Sequence, residues 1–242
     1  MDLSRFHPSR RAFIRAILAA GGFASPLLSV IARAQDTSNS PVLPGFQALE
    51  GEVRLNGYAA ALGQEVRPGD VCTTGVQSSC TIVIGEHVYL LRENSEIEFY
   101  AELFEEAEAD QSVSGKIRIL AGAMLSVFGK TETSIVTPLA TIGIRGTACY
   151  VDVEQDRTYV CLCYGRADIS SSMNGKMLEH LSTTHHDQPR YIYAPGSGDM
   201  MERAPVSDHT DAELRMLEAL VGRQTLFDKL GIKTDYKRDG LP

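Results

Sequence analysis

The residues best suited to chemistry in this 242-residue chain are its cysteines and one pair of histidines. Cys149, Cys161 and Cys163 fall in the stretch CYVDVEQDRTYVCLCYG, which otherwise alternates like β-structure. Side chains two apart on a strand stand parallel, with Cα atoms about 6.5–7 Å apart, so Cys161 and Cys163 make a poor disulfide with each other. Parallel thiolates are a good start on a tetrahedral metal site, where sulfur sits about 2.3 Å from the ion. A fourth donor is available in STTHHDQPRY, from His185 or His186, with Asp187 or a neighbour as an outer hydrogen-bonding partner. Three cysteines and a histidine suit zinc or an iron–sulfur cluster; the C-x-x-C-H haem-attachment pattern is absent.

Whether the three sulfurs share a face depends on the loop between the strands. An odd loop centred on Asp156 sets Cys149 opposite Cys163 and puts all three on one face. An even loop sends Cys149 to the other face. A Cys149–Cys163 disulfide with Cys161 left over is the competing reading, and both stay open here. Cys72 and Cys80 flank a Thr74–Ser78 turn that would set them opposite each other in a hairpin, either as a cross-strand disulfide or as small buried residues.

The elements that must position these groups read as short strands. GEVRLNGYAA carries an Asn56-Gly57 turn, a strong hairpin signal, and Pro68-Gly69-Asp70 repeats the device. Thr81–Ile84, Val88–Leu91, Glu96–Tyr100 and the run KIRILAGAMLSVFG continue the alternation. Leu103–Asp110 reads as a solvated acidic run. The period changes near the C-terminus, where Thr210-Asp211-Ala212-Glu213 forms a capping box ahead of Leu214, Leu217, Leu220 and Val221 at helical spacing. Gly222 breaks that helix, and Gln224–Leu230 adds a turn before Gly231. The expectation is an all-β domain over 50–170, an irregular or β extension over 171–205 that carries the His-His turn, and a helix and tail over 206–242.

The chain opens with SRRAFIR, a weakly apolar segment to Ile31, and Ala32-Arg33-Ala34, the pattern of a twin-arginine export signal cleaved after residue 34. A polar linker over 35–49 would follow, with no membrane span after cleavage. From Gln35 onward there are 18 basic and 30 acidic residues, a formal charge of −12, which argues against nucleic acid or anionic lipid as partners. No nucleophile elbow, P-loop or H-E-x-x-H occurs, so no enzyme class is indicated.

GEVRLNG, LGQEVRPGDVCTTG and IVTPLATIGIRGTACYVDV together resemble the FecR-type periplasmic domain, from about Gly51 to Ile169. The resemblance implies an all-β, solenoid-like or sandwich-like unit in the periplasm. FecR regulators place a tryptophan-bearing segment and a membrane span ahead of this module. Here an export signal stands in that place and tryptophan is absent, so the resemblance covers the module without the anti-sigma role. It implies a non-catalytic sensor or binding module with an envelope protein as partner, its cysteines holding a metal or cluster. The alternative is a protein- or glycan-interaction module with disulfide-bonded cysteines and no cofactor.

Overall fold

The computed structural model describes residues 44–232 apart from 68, 101–114, 131 and 197. The expected leader over 1–34, most of the linker, Pro68 of the second turn, the acidic run and the last ten residues lie outside the described residues. Among the described residues the chain is all-β, with two short helices at the end. The first strands are β1 (Gly45–Glu50), β2 (Val53–Leu55), β3 (Tyr58–Ala59), β4 (Val71–Thr74), β5 (Ser79–Ile84), β6 (His87–Leu91) and β7 (Glu96–Phe99). Three long strands follow, β8 (Gly115–Val127), β10 (Ala140–Val153) and β11 (Arg157–Ser171), with β9 (Glu132–Val136) between the first two. Then come β12 (Met177–Thr183), β13 (Arg190–Tyr193), β14 (Met201–Arg203), α1 (Asp211–Leu220) and α2 (Leu226–Lys229). Residues 45–49, expected in the linker, thus belong to β1. The Asn56-Gly57 signal forms its hairpin between β2 and β3, with both residues at positive φ (53° and 81°) as a type I′ turn requires.

One open sheet contains all of these strands, and its long members serve two sets of neighbours. The first half of β8 pairs with β7 and, in parallel, with β9; its second half pairs with β6 and β10. Gly122, at φ 73°, stands between the halves. A Cβ there would lie 2.4 Å from Ser95 Oγ, so only glycine permits the close approach. β11 turns in the same way at Gly165, where a Cβ would meet Thr147 Oγ1 at 2.4 Å. The two halves pack on one core. Tyr89 of β6 meets Phe99 of β7 edge-on at 5.5 Å, and Cys72 Sγ of β4 lies 3.8 Å from Cys80 Sγ of β5. Those two cysteines are therefore not hairpin partners as expected. β4 pairs with β2 and β7, β5 with β1 and β6, and the thiols meet across the core as free cysteines.

Register assigns the second half of the sheet two buried faces. Tyr89, Ser126, Cys149 and Leu162 are neighbours across β6, β8, β10 and β11, and so are Leu90, Leu125, Tyr150 and Cys161. Successive residues on a strand point to opposite faces. The first row therefore belongs with the main core, and the second row forms the reverse face. The C-terminal segment covers that reverse face. α1 packs on β6 and β8, α2 on β11, and Leu214, Leu217, Leu220 and Phe227 are buried. The capping box forms as read: Glu213 N–H donates to Thr210 Oγ1 at 3.2 Å, and Thr210 N–H donates to Glu213 Oε2 at 2.9 Å.

Candidate metal centre

The loop parity decides where the cysteines go. Val153 pairs with Thr158, Val151 with Val160 and Cys149 with Leu162, so the β10–β11 loop is even. Cys149 consequently faces the main core, where burial, reinforced by Cys161, pushes its thiol up. It does not stand opposite Cys163, which removes the geometric basis of a Cys149–Cys163 bridge. Cys161 and Cys163 point together to the reverse face and are fully buried.

Two histidines meet these thiols. His186, in the β12–β13 connection at φ 44°, donates its backbone N–H to the Cys163 carbonyl at 3.0 Å. Its Nδ1 lies 3.5 Å from Cys161 Sγ. The second is His209, just ahead of α1, whose Nε2 lies 3.4 Å from Cys163 Sγ and 2.9 Å from His186 Nδ1. His209 was not anticipated from sequence. Its one visible signal is its position beside the Thr210 cap, after Asp208 at φ 62°. The four donor atoms lie within 4.8 Å of one another. A tetrahedral ion with Zn–S of about 2.3 Å and Zn–N of about 2.0–2.1 Å needs S···N separations of about 3.5 Å and N···N of about 3.3 Å. The S···N distances match, and the nitrogens need to part by only a few tenths of an ångström.

The outer hydrogen bonds fix which ring nitrogens are free. His209 Nδ1 lies 2.7 Å from the Ser207 carbonyl, which can only accept, so Nδ1 carries the proton. His186 Nε2 donates to Asp211 Oδ1 at 3.0 Å. Both neutral rings therefore turn lone pairs toward the same point 2.9 Å apart, an arrangement that requires a proton or a metal ion between them. In the metal-free protein the proton is supplied by His186. Burial lowers its pKa, but Asp211 and Cys161 more than offset this and hold it up at about 9. Burial likewise opposes ionisation of Cys161, but hydrogen bonds from Cys163 and His186 pull it well below the usual thiol value. Burial and the neighbouring Cys161 push Cys163 up.

Other predicted residues fall outside the four. His185 is turned away and donates from Nε2 to Asp211 Oδ1 at 2.8 Å. Asp211, the first residue of α1 and 1% exposed, thus accepts from both members of the His-His pair, the outer role assigned in advance to Asp187 or its neighbour. Its charge also complements the positive end of the helix. Around the site, Tyr150 stacks on His209 with ring centroids 4.9 Å apart, and Arg92 holds both Glu213 and the Asp208 carbonyl. Tyr159 donates its hydroxyl to the Pro205 carbonyl.

Residues 70–168 match the FecR protein family. The FecR match spans about two fifths of the chain and contains Cys161 and Cys163, whereas His186, His209 and Asp211 all lie beyond it. No curated protein matches the sequence. Two crystal structures of a candidate anti-sigma factor from Parabacteroides distasonis ATCC 8503, at 2.50 and 1.65 Å resolution, superpose with TM-scores of 0.43 and 0.42. They are 9% and 8% identical to this chain, and each match covers 55% of it and 59% of the solved chain. No helix among the described residues is long and apolar enough to cross a membrane.

Proposed function

We propose that this protein is a non-catalytic sensor or regulatory module of the bacterial envelope, built on a FecR-type β domain that binds one zinc ion through Cys161, Cys163, His186 and His209. The observation that carries this reading is the convergence of two thiols and two imidazole lone pairs, each ring oriented by an acceptor on its outer nitrogen. Two thiolates cancel the charge of a divalent ion, and the imidazoles remain neutral, so the ion and its four ligands carry no net charge. All four groups are enclosed, which leaves no open position for a reacting water and favours a structural or sensory ion over a catalytic one.

The cofactor class narrows on the same geometry. An iron–sulfur cluster places bridging sulfides and a second iron between its ligands, whereas here each sulfur has an imidazole nitrogen 3.4–3.5 Å away. One ion fits that space. The leader resembles a signal for export of folded proteins, which would allow the ion to be inserted before transport and supports a periplasmic location for the module. Its acidic balance favours an envelope protein over nucleic acid as partner. The test is elemental analysis of the purified protein. One zinc per chain, lost in Cys161→Ser and His209→Ala but retained in Cys149→Ser, is the expected result; no bound zinc, or loss of zinc only in Cys149→Ser, would overturn it.

A further inference from the structure

The four donors come from three separate places in the chain. Cys161 and Cys163 belong to the sheet, His186 to the β12–β13 connection, and His209 to the head of the segment that carries α1 and α2. We infer that the ion is the latch of this segment: metal occupancy controls whether residues 205–232 stay docked on the reverse face of the sheet. This rests on the metal reading above and adds a regulatory consequence to it.

Three observations support the latch. First, the segment is joined to the strands it covers by side chains rather than by strand pairing, since β14 ends at Arg203 and no later residue among those described enters the sheet. Second, its head is its most polar buried part. His209 and Asp211 are 0% and 1% exposed, and they enter the site as an imidazole and a carboxylate among two thiols and a second imidazole. With the ion removed, those groups must share protons in a dry enclosure, and the way to hydrate them is to lift the head. Third, what lies underneath is worth exposing or hiding. Leu90, Leu125 and Tyr150 form an apolar row across three strands, with Tyr164 beside it under Phe227. Such a surface does not stay exposed in a soluble protein without consequence.

Other anchors lie on both sides of His209. Tyr159 and Arg92 hold the Pro205 and Asp208 carbonyls, while Arg92 with Glu213, Tyr164 with Glu218, and Arg223 with the Glu86 carbonyl hold the part C-terminal to it. Release of the head therefore breaks the Tyr159 and Arg92 bonds to 205–208 along with the ligand bonds, and proceeds into α1.

Hydrogen exchange of the full chain, loaded with zinc and then stripped by chelator, tests the latch when zinc content is measured on the same samples. The expected result is one bound zinc and exchange in 205–221 at least tenfold faster after stripping, with β2, β4 and β7 unchanged and protection restored by adding zinc back. His209→Ala reproduces the stripped pattern at saturating zinc. One bound zinc with 205–221 unchanged within twofold overturns the latch and leaves the metal reading intact. Faster exchange throughout the sheet also overturns it, because the ion would then be a general staple of the fold. No bound zinc overturns both.

Discussion

Replacing Asp211 by asparagine probes the site without touching a ligand. Asp211 Oδ1 accepts from His186 Nε2 at 3.0 Å and His185 Nε2 at 2.8 Å, and the carboxylate is almost fully buried. The bond to His186 keeps the proton on Nε2 and the lone pair on Nδ1, and the negative charge makes that lone pair more basic. An amide of the same shape can still accept both hydrogen bonds at its Oδ1, but it brings no charge, so the bond to His186 weakens and its Nδ1 lone pair becomes less basic. Loss of such outer partners typically costs 10–100-fold in metal affinity, or about 1.4–2.7 kcal/mol. A further ~0.3–1 kcal/mol of helix stability goes with the charge at the α1 N-terminus. Competition against a chromophoric chelator reads the first effect. D211N is expected to bind one zinc with a dissociation constant 10–100-fold above wild type, whereas His185→Ala, which leaves the Asp211–His186 bond in place, shifts it less than threefold. An unchanged constant in D211N would refute the claim that Asp211 prepares His186 as a ligand.

Further outcomes follow from individual sites. His87 is buried, with Nδ1 accepting from the Gly129 N–H at 3.2 Å; burial, then Arg223, lower its pKa from 6.5 to about 4. The unfolded chain therefore binds the proton first as pH falls, and the stability His87 contributes is lost between about pH 6.5 and 4. By pH 5 the loss is about 2 kcal/mol, and urea unfolding of His87→Gln should show that much less decline between pH 7.5 and 5. Gly122→Ala forces a Cβ at positive φ against Ser95 and should cost about 2–4 kcal/mol in a denaturation curve. Gly57→Ala, at φ 81° in open space, should cost only about 1 kcal/mol. Leu217→Ala, on the buried face of α1, should cost about 2–4 kcal/mol and leave zinc stoichiometry at one; loss of zinc there would mean that packing, not the ligands, builds the site.

Local chemistry was legible in the sequence wherever it acts over a few residues. The Asn56-Gly57 turn, the capping box at Thr210 and the strands from Thr81 to Phe99 all depend on neighbours in the chain, and all formed. Pairing between distant strands was not legible. The turn after Thr74 reads as a hairpin, yet it carries the chain from one half of the sheet to the other, because β4 and β5 each satisfy both edges elsewhere. The parallel pairing of β8 with β9 left no local signal either. The site shows the same division. Cys161 and Cys163 were evident from alternation alone, and the His-His turn stood out by composition. Choosing His186 over His185 depended on a left-handed backbone that nothing in HHD dictates. His209 joined only because the C-terminal segment folds back over the sheet. Cys149 was separated from the other two by one residue of loop length.

Cobalt(II) titration of the metal-free protein tests the four-ligand site, since cobalt takes tetrahedral zinc sites and its spectrum reports geometry and thiolate ligation together. Saturation at one equivalent is expected, with intense visible ligand-field bands and thiolate charge-transfer absorption that both disappear in Cys161→Ser, and with zinc displacing cobalt. Weak octahedral bands, or a spectrum that survives loss of Cys161 and His209, would contradict a closed two-cysteine, two-histidine site.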